Sequence, residues 1–354
     1  MLKERRAAAF ASLAEAKAGA FFVSFLPNVR YLSGFTGSNG LLVLTAGGAT
    51  LFTDPRYDIQ ARTESDCTVK VVKGPLLAAA LELWERKKWD RVAFEGRRVD
   101  YGTFLEMDKG AHGKLVPVQG IVERLRSIKS ADEIHHIRTA VQTNSGAYER
   151  ALKKLTPRMT ESDLAAELEY QMRRLGAEKP AFETIVAAGA RSALPHAQPG
   201  LKQLNERGLL LIDMGAMQAG YASDMTRMLH LGKPLPKTRR LYQAVLEAQL
   251  AATDSVRAGV TAGAVDKAAR QVLKRHGLER EFVHSTGHGL GLEIHEPPRL
   301  GKKDETVLQP GMVITIEPGA YVEGFCGVRI EDTILVTANG CEVLTPTTKE
   351  LRVI

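Results

Sequence analysis

Four carboxylates in the second half of the chain stand beside apolar runs that have the composition of buried strands. Asp213 follows Gly-Leu-Leu-Leu-Ile, and Asp224 comes eleven residues later, so a hairpin could place both side chains on neighbouring strands. Glu317 follows Met-Val-Ile-Thr-Ile, and Glu331 follows Gly-Val-Arg-Ile. A buried carboxylate is costly unless it is paired or binds a metal. The residues alone therefore leave two alternatives, a buried ion pair with Arg329 and a metal site.

Three histidines lie within one glycine-rich run, at positions 284, 288 and 295. An isolated histidine on an apolar face is more often a core residue, but three among glycines indicate a metal or acid–base site. Together with the four carboxylates, His288 completes an oxygen-rich set. Such a set suits two divalent ions with a bridging water, and it suits manganese better than a metal that prefers thiolates.

The sequence lacks the motifs of several other kinds of catalytic site. The sequence contains no G-x-S-x-G elbow, no H-E-x-x-H helix and no G-x-x-x-x-G-K-[ST] phosphate loop, so a serine hydrolase is a distant alternative. Cys67, Cys326 and Cys341 are far apart and odd in number, which argues against a disulfide framework and against a cysteine zinc site.

The charge and the hydropathy pattern argue against a nucleic-acid-binding, a secreted or a membrane protein. The formal charge of +7 comes from scattered lysines and arginines, so no nucleic-acid partner is expected. The segment from Met1 to Lys17 lacks the apolar core of a signal peptide, and no run approaches the ~20 apolar residues that span a bilayer. The sequence therefore predicts a cytoplasmic protein with no membrane partner.

The first half of the chain alternates strand-like runs with helical patterns, which predicts an α/β layer domain with a mixed or parallel sheet. The predicted strands are 20–25, 41–45, 50–53, 69–72, 91–95 and 115–118. The predicted helices are 3–18, one that begins at Pro55, 76–88 and 101–109.

The second half has longer helices and strands in blocks, which indicates an α+β domain with an antiparallel sheet. Ser130 and Glu133 form a capping box that opens a helix over 131–154. Three further helices are predicted to open at Thr160, Thr238 and Thr261, and the predicted strands are 184–188, 208–214, 312–317 and 328–336. We place the domain boundary near residue 125.

The order and local context of the candidate ligands resemble the M24 metallopeptidases, which have the pita-bread fold. Asp213 in Leu-Ile-Asp-Met-Gly and Asp224 in Ser-Asp-Met-Thr-Arg look like the two aspartate ligands of that family. His288 in Ser-Thr-Gly-His-Gly looks like the histidine ligand, and Glu317 and Glu331 look like the two glutamates. The resemblance implies two divalent metal ions, most simply manganese, with cobalt or zinc as alternatives.

Within that family the sequence is most similar to aminopeptidase P and prolidase. His196 in Ser-Ala-Leu-Pro-His, together with His284 and His295, resembles their active-site histidines, and Arg299 resembles an arginine of the prolidase-like members. The stretch Val-Arg-Tyr-Leu-Ser-Gly-Phe-Thr-Gly-Ser resembles the creatinase-type N-terminal domain. The resemblance implies a creatinase-like domain over 1–125 and a pita-bread catalytic domain over 126–354.

The resemblance also implies roles for these residues in hydrolysing the bond before proline. Glu317 would take the proton of the attacking water, and His295 would stabilise the oxyanion. His196 and His284 would orient the peptide and assist the leaving proline nitrogen. Arg329 would fix the carboxylate ligands.

Substrate contacts are expected from two more side chains. Arg299 would either pair with a substrate carboxylate or be an ordinary surface arginine. Tyr221, three residues before Asp224, is expected to bind substrate.

The expected function is an Xaa-Pro aminopeptidase of the aminopeptidase P type. The first alternative is an Xaa-Pro dipeptidase, that is, a prolidase acting only on dipeptides. A metal-free creatinase-like enzyme and a non-catalytic pita-bread binding protein are more distant, because all five ligands are present. The expected partners are a proline-containing peptide and a second copy of the chain in a homodimer.

Overall fold

The computed structural model describes residues 1–111 and 113–354. The chain forms two compact units, Met1–Arg126 and Ser127–Ile354. Both units mix helices with sheets, in agreement with the predicted fold class. Within the described residues, no helix is both long and apolar enough to cross a membrane.

The first unit is built on one mixed sheet whose strands follow the order β4-β3-β2-β1-β5-β6. Its strands are β1 (Ala20–Val23), β2 (Gly40–Thr45), β3 (Gly48–Thr53), β4 (Thr68–Val71), β5 (Arg91–Glu95) and β6 (Lys114–Val118). Its helices are α1 (Leu2–Ala11), α2 (Leu26–Ser33), α3 (Asp58–Glu64), α4 (Leu76–Lys87), α5 (Tyr101–Lys109) and α6 (Ile121–Ser127). The pairs β1–β2 and β2–β3 are antiparallel, and the other pairs are parallel.

Two features of this unit differ from the sequence prediction. Helix α1 stops at Ala11, and the predicted continuation to residue 18 is wrong, because the chain tightens into a 3-10 turn over Ala14–Ala16 and then takes a left-handed backbone at Lys17 (φ 51°). Helix α2 was not predicted. It is only eight residues long, has Pro27 in its first turn and ends at Ser33, because Gly34 with its φ of 82° terminates it.

Glu95, the last residue of β5, is a buried carboxylate in this unit. Its Oε2 atom accepts hydrogen bonds from the amides of Ser24 and Phe25, each at 2.8 Å, and its Oε1 atom accepts one from Asn28 at 2.6 Å. Burial outweighs these bonds and raises the pKa of the Glu95 carboxyl to about 7. The folded unit therefore binds this proton more tightly than the unfolded chain does.

We expect the free energy of unfolding of the first unit to fall as the pH rises from about 4.5 to about 7. The favourable contribution of protonated Glu95 is complete below its unfolded pKa of about 4.5 and is lost as the pH passes about 7. Relative to E95Q, the free energy of unfolding should drop by about 2–3 kcal/mol between pH 5 and pH 8. Urea unfolding followed by tryptophan fluorescence measures it, because both tryptophans, Trp84 and Trp89, lie in this unit. A difference that stays constant with pH would contradict the shifted pKa.

The second unit contains four long helices and two main sheets. The helices are α7 (Ala131–Leu152), α8 (Glu161–Arg174), α9 (Pro236–Ser255) and α10 (Ala262–Arg275). The four-stranded sheet, in the order β20-β12-β9-β8, contains β8 (Ile185–Ala188), β9 (Gly208–Met214), β12 (Met225–Leu231) and β20 (Arg352–Val353). The five-stranded sheet, in the order β14-β13-β15-β18-β19, contains β13 (Gly287–Gly289), β14 (Glu296–Leu300), β15 (Val313–Ile316), β18 (Asp332–Val336) and β19 (Cys341–Val343). Smaller sheets are formed by β7 (Lys179–Pro180), β10 (Ala216–Gln218) and β11 (Tyr221–Ala222), and by β16 (Gly319–Val322) and β17 (Cys326–Arg329).

The structure corrects two predicted boundaries. Helix α9 begins at Pro236 and not at Thr238, because proline is favoured in the first helical turn, where its missing N–H is not needed. The predicted strand 328–336 is two strands, β17 and β18. The chain changes partner between them, and the amide of Glu331 donates to the carbonyl of Thr226 in the other main sheet.

Strand β9 is buried on both faces. Leu209 and Leu211 pack into the core around α9 and α10, whereas Leu210 and Ile212 pack into the core around α7 and α8. Successive side chains of a strand alternate between its faces, so Asp213 lies on the face of Leu209 and Leu211. The core thus sets the direction in which this carboxylate points.

Candidate active site

Two antiparallel hairpins bring the four carboxylates together. In the pair β9–β12, Asp213 lies opposite Thr226, and Asp224 immediately precedes β12. In the pair β15–β18, Glu317 and Glu331 follow and precede the last register pair of the two strands. All four side chains line one cavity of about 620 Å³.

His288 joins the carboxylates from β13. Its Nδ1 atom lies 3.0 Å from the carbonyl oxygen of Gly289, so Nδ1 carries the proton and Nε2 is free to bind a metal. Nε2 lies 3.4 Å from Glu317 Oε1 and 3.6 Å from Asp224 Oδ2. Gly287 allows this approach, because a Cβ atom there would lie 1.9 Å from the carbonyl oxygen of Thr315.

The donor atoms form a compact cluster. One ligand atom each from Asp224, His288 and Glu331 lie within 4.8 Å of one another. Asp213 Oδ1 is buried and has no hydrogen-bond partner among the described residues. Glu317 Oε1 accepts a long hydrogen bond of 3.3 Å from Thr315. An unpartnered buried carboxylate oxygen beside three other carboxylates is what a hard divalent cation would satisfy.

Electrostatics supports the same conclusion. Burial, reinforced by the neighbouring carboxylates, raises the pKa values of Asp224 and Glu331 well above their usual range. Burial raises the pKa of Glu317 to about 7, and burial lowers the pKa of His288. These carboxylates repel one another when ionised, so their residues fit a site that binds divalent cations.

Arg329 connects the carboxylates to their surroundings. Its Nη2 atom donates to Asp213 Oδ2 at 2.5 Å and its Nε atom to Thr226 Oγ1 at 3.0 Å. Thr226 in turn donates to Glu331 Oε2 at 2.7 Å. Nη1 donates to the hydroxyl of Tyr321 at 2.7 Å. One buried guanidinium thus orients a carboxylate from each hairpin.

The side chains of four other predicted site residues surround the carboxylates. His196, His284, His295 and Arg299 line the same cavity. The rings of His288 and His295 meet edge to face with centroids 4.4 Å apart. Arg299 is exposed, and its guanidinium makes no hydrogen bond or ion pair within the described residues.

Both ring nitrogens of His284 are engaged by protein atoms. Nδ1 donates to the carbonyl oxygen of Ser285 at 2.8 Å, which makes Nε2 the acceptor of the Tyr321 hydroxyl at 2.9 Å. Burial lowers the pKa of His284 to about 4, so the ring is neutral at neutral pH. In this arrangement His284 contributes its position and ring face to the cavity, and it has no free proton for a leaving group.

Tyr221 is the predicted site residue that the structure places elsewhere. It is absent from the residues that line the cavity, its hydroxyl donates to Glu133 Oε1 at 3.1 Å, and its ring stacks on His136. Strand β11 turns this side chain towards α7, where both of these partners lie. A substrate contact of Tyr221 stays a prediction.

The sequence prediction missed Thr226, Thr315 and Tyr321, which hydrogen-bond to residues of the site. The two threonines carried a usable signal. Each lies two residues from a carboxylate ligand on a strand, and residues two apart share a face. Tyr321 carried none, because it reaches Arg329 across the β16–β17 pair.

Comparison with known proteins decides the family. A model of metallopeptidase family M24 matches residues 135–338, which is more than half of the chain. The chain belongs to metallopeptidase family M24. A model of the creatinase/prolidase N-terminal domain matches residues 5–128. The predicted family is therefore confirmed, and this M24 protein is a metallopeptidase, which implies divalent metal ions at the site.

Similar proteins include both dipeptidases and an aminopeptidase. An Xaa-Pro dipeptidase of Pyrococcus horikoshii is 40% identical over 336 residues, covering 92% of each chain. The solved Xaa-Pro dipeptidase from Bacillus anthracis is 35% identical, covers 100% of both chains and has a TM-score of 0.97. The X-Pro aminopeptidase from Thermotoga maritima is 34% identical, with coverage of 95% of this chain and 98% of that one and a TM-score of 0.90.

Proposed function

We propose that this M24 metallopeptidase is an Xaa-Pro dipeptidase that hydrolyses the bond before a C-terminal proline. The observation that carries the proposal is the full-length similarity to Xaa-Pro dipeptidases, which includes the N-terminal domain. The unpaired Arg299 guanidinium on the cavity wall agrees with it, because a dipeptide presents its carboxylate next to the scissile bond. The expected aminopeptidase P activity is supported less well than this alternative.

Five residues would hold two divalent metal ions, for which we propose manganese. They are Asp213, Asp224, His288, Glu317 and Glu331. When bound, such ions would lower the pKa of a coordinated water and polarise the scissile carbonyl. The set consists of carboxylates and one imidazole, which is the donor chemistry that manganese accepts.

The remaining chemistry falls to the side chains. Glu317 takes the proton of the attacking water on its carboxylate and passes it to the proline nitrogen as the bond breaks. His295, whose pKa is lowered by burial and by the neighbouring His288, is neutral and donates its single N–H to the oxyanion. His196 is exposed at the cavity and orients the peptide. Since proline offers no N–H, the site needs no acceptor for that position.

Peptide length tests the proposal. Metal-stripped protein is incubated with Ala-Pro and with Ala-Pro-Ala, with and without Mn²⁺. We expect manganese-dependent release of alanine from the dipeptide alone. Cleavage of the tripeptide alone would establish the aminopeptidase P alternative. Cleavage of neither, with metal bound, would overturn both and favour a different substrate or a binding protein.

A matched pair of variants examines the carboxylate contact. Removing a charge-assisted hydrogen bond costs about 1.5–3 kcal/mol, so R299M should raise KM for Ala-Pro about 10- to 100-fold. R275M, at an exposed arginine on α10, is the control and should leave KM unchanged. Equal KM values for the two variants would show that Arg299 is an ordinary surface residue.

The homodimer stays a prediction, which light scattering tests.

A further inference from the structure

Helix α10 presents an acidic and a basic side chain to the segment 282–286. Asp266 and Arg270 lie one helical turn apart and are paired at 2.7 Å, with side chains 1% and 14% exposed. Asp266 Oδ1 accepts hydrogen bonds from the amide of Thr286 at 3.2 Å and from its hydroxyl at 2.8 Å. Arg270 donates from Nη1 to the carbonyl of Phe282 at 3.1 Å and from Nη2 to the carbonyl of His284 at 2.5 Å.

The Arg270 guanidinium also supports the ring of His284 through Phe282. It lies 4.2 Å from the centroid of the Phe282 ring. The rings of Phe282 and His284 meet edge to face with centroids 5.1 Å apart. Backbone and ring of His284 are therefore both held from the side of α10, whereas Tyr321 holds the opposite edge of the ring.

We propose that Asp266 and Arg270 form a clamp that sets the place of His284 in the active-site cavity. Arg270 is then a positioning residue of the peptidase reaction, acting through His284 and not on the substrate. The kinetic test of this inference rests on the proposed Xaa-Pro dipeptidase function, because it measures cleavage of Ala-Pro. The geometric basis is the planar fork of arginine, which bonds Asp266 and two carbonyl oxygens at once.

The variant R270K distinguishes the effect of the positive charge beside Asp266 from the effect of the guanidinium hydrogen bonds. A lysine ammonium keeps the buried positive charge beside Asp266, but its three N–H bonds diverge from one nitrogen and cannot reproduce the planar geometry that reaches the carboxylate and both carbonyls. The control R275K makes the same change at an exposed position on the same helix. A displacement of His284 by about 1 Å should lower kcat/KM for Ala-Pro by about 10- to 100-fold. R275K should match the parent.

Two measurements distinguish positioning from a general structural role. The first is a double-mutant cycle, in which R270K should have little further effect in an H284A background. The second is independent of activity. Carbethoxylation by diethyl pyrocarbonate, read at His284 by mass spectrometry, should accelerate several-fold in R270K relative to exposed His135 in the same molecules. Metal content should remain that of the parent protein.

Each other outcome is decisive. The clamp is overturned if R270K matches R275K in both kcat/KM and His284 carbethoxylation, or if H284A alone leaves activity unchanged. It is also overturned if R270K lowers kcat/KM by the same factor in the H284A background while the reactivity of His284 stays constant. If the parent cleaves no Xaa-Pro peptide, the proposed function fails and carbethoxylation alone decides the clamp. Should R270K not fold, D266N/R270Q replaces it, because that pair leaves no buried charge.

Discussion

Replacing Asp224 by asparagine is expected to abolish peptide hydrolysis and to lower the metal content of the protein. The buried Asp224 carboxylate lies within the cluster that His288 and Glu331 complete. An amide of the same shape carries no charge to hold a divalent cation. Loss of residues that only orient metal ligands costs about 10- to 100-fold, so kcat/KM should fall by more than about 100-fold here. Steady-state kinetics and elemental analysis measure the two effects, and D254N, at an exposed position on α9, is the control.

The same variant should not destabilise the metal-free protein. Without cations, Asp224 is a buried carboxylate facing Glu331, Asp213 and Glu317, and their repulsion disfavours the folded state. Removing one of the four charges should therefore leave the melting temperature of the metal-free protein unchanged or raised. With manganese present the order reverses, because the parent gains more from metal binding. A variant that keeps full activity and full metal content would refute the ligand assignment.

The largest loss of stability is expected from R227M. Arg227, on β12, is 3% exposed, and its guanidinium donates to Asp332 Oδ1 at 2.7 Å. It also donates to the carbonyl oxygens of Thr226, Glu331, Thr347 and Thr348. With methionine at this position, these carbonyls lose the guanidinium donor, and the fully buried Asp332 loses one of its cationic partners. Breaking such a buried pair costs about 3–5 kcal/mol.

Urea unfolding followed by far-ultraviolet circular dichroism measures this loss, since neither tryptophan lies in the second unit. R239M, at an exposed arginine of α9, provides the matched control and should stay within about 0.5 kcal/mol of the parent. A loss below about 1 kcal/mol for R227M would show that Lys349 and Gln249, which also bind Asp332, suffice to compensate.

The sequence predicted the parts of the site that depend on local pattern. Strands such as β9 and β15 are continuous apolar runs, so the carboxylates at their ends could be recognised before their partners were known. The capping box of Ser130 and Glu133 marked the start of α7 correctly, because both of its hydrogen bonds lie within four residues.

What could not be predicted depends on contacts between distant segments. Nothing near Tyr321 in the sequence indicates that it lies between Arg329 and His284. The hydrogen bond between Tyr221 and Glu133 was likewise not foreseen, because the two residues are far apart along the chain. The break between β17 and β18 arises where β18 takes β15 as its partner, which is a property of the sheet and not of the run 328–336.

The five proposed ligands come from two different sheets, so a bound ion would act as a reversible cross-link between them. Asp213 lies in the four-stranded sheet and Asp224 directly precedes its strand β12. His288 lies in the five-stranded sheet, Glu317 directly follows its strand β15, and Glu331 directly precedes its strand β18. Unlike a disulfide, such an ion would be released on unfolding, so it would stabilise the folded state by mass action rather than by restricting the unfolded chain. The metal supply of the cell would then govern how long each molecule persists as well as how fast it works, since metal-starved copies would open more often to proteases.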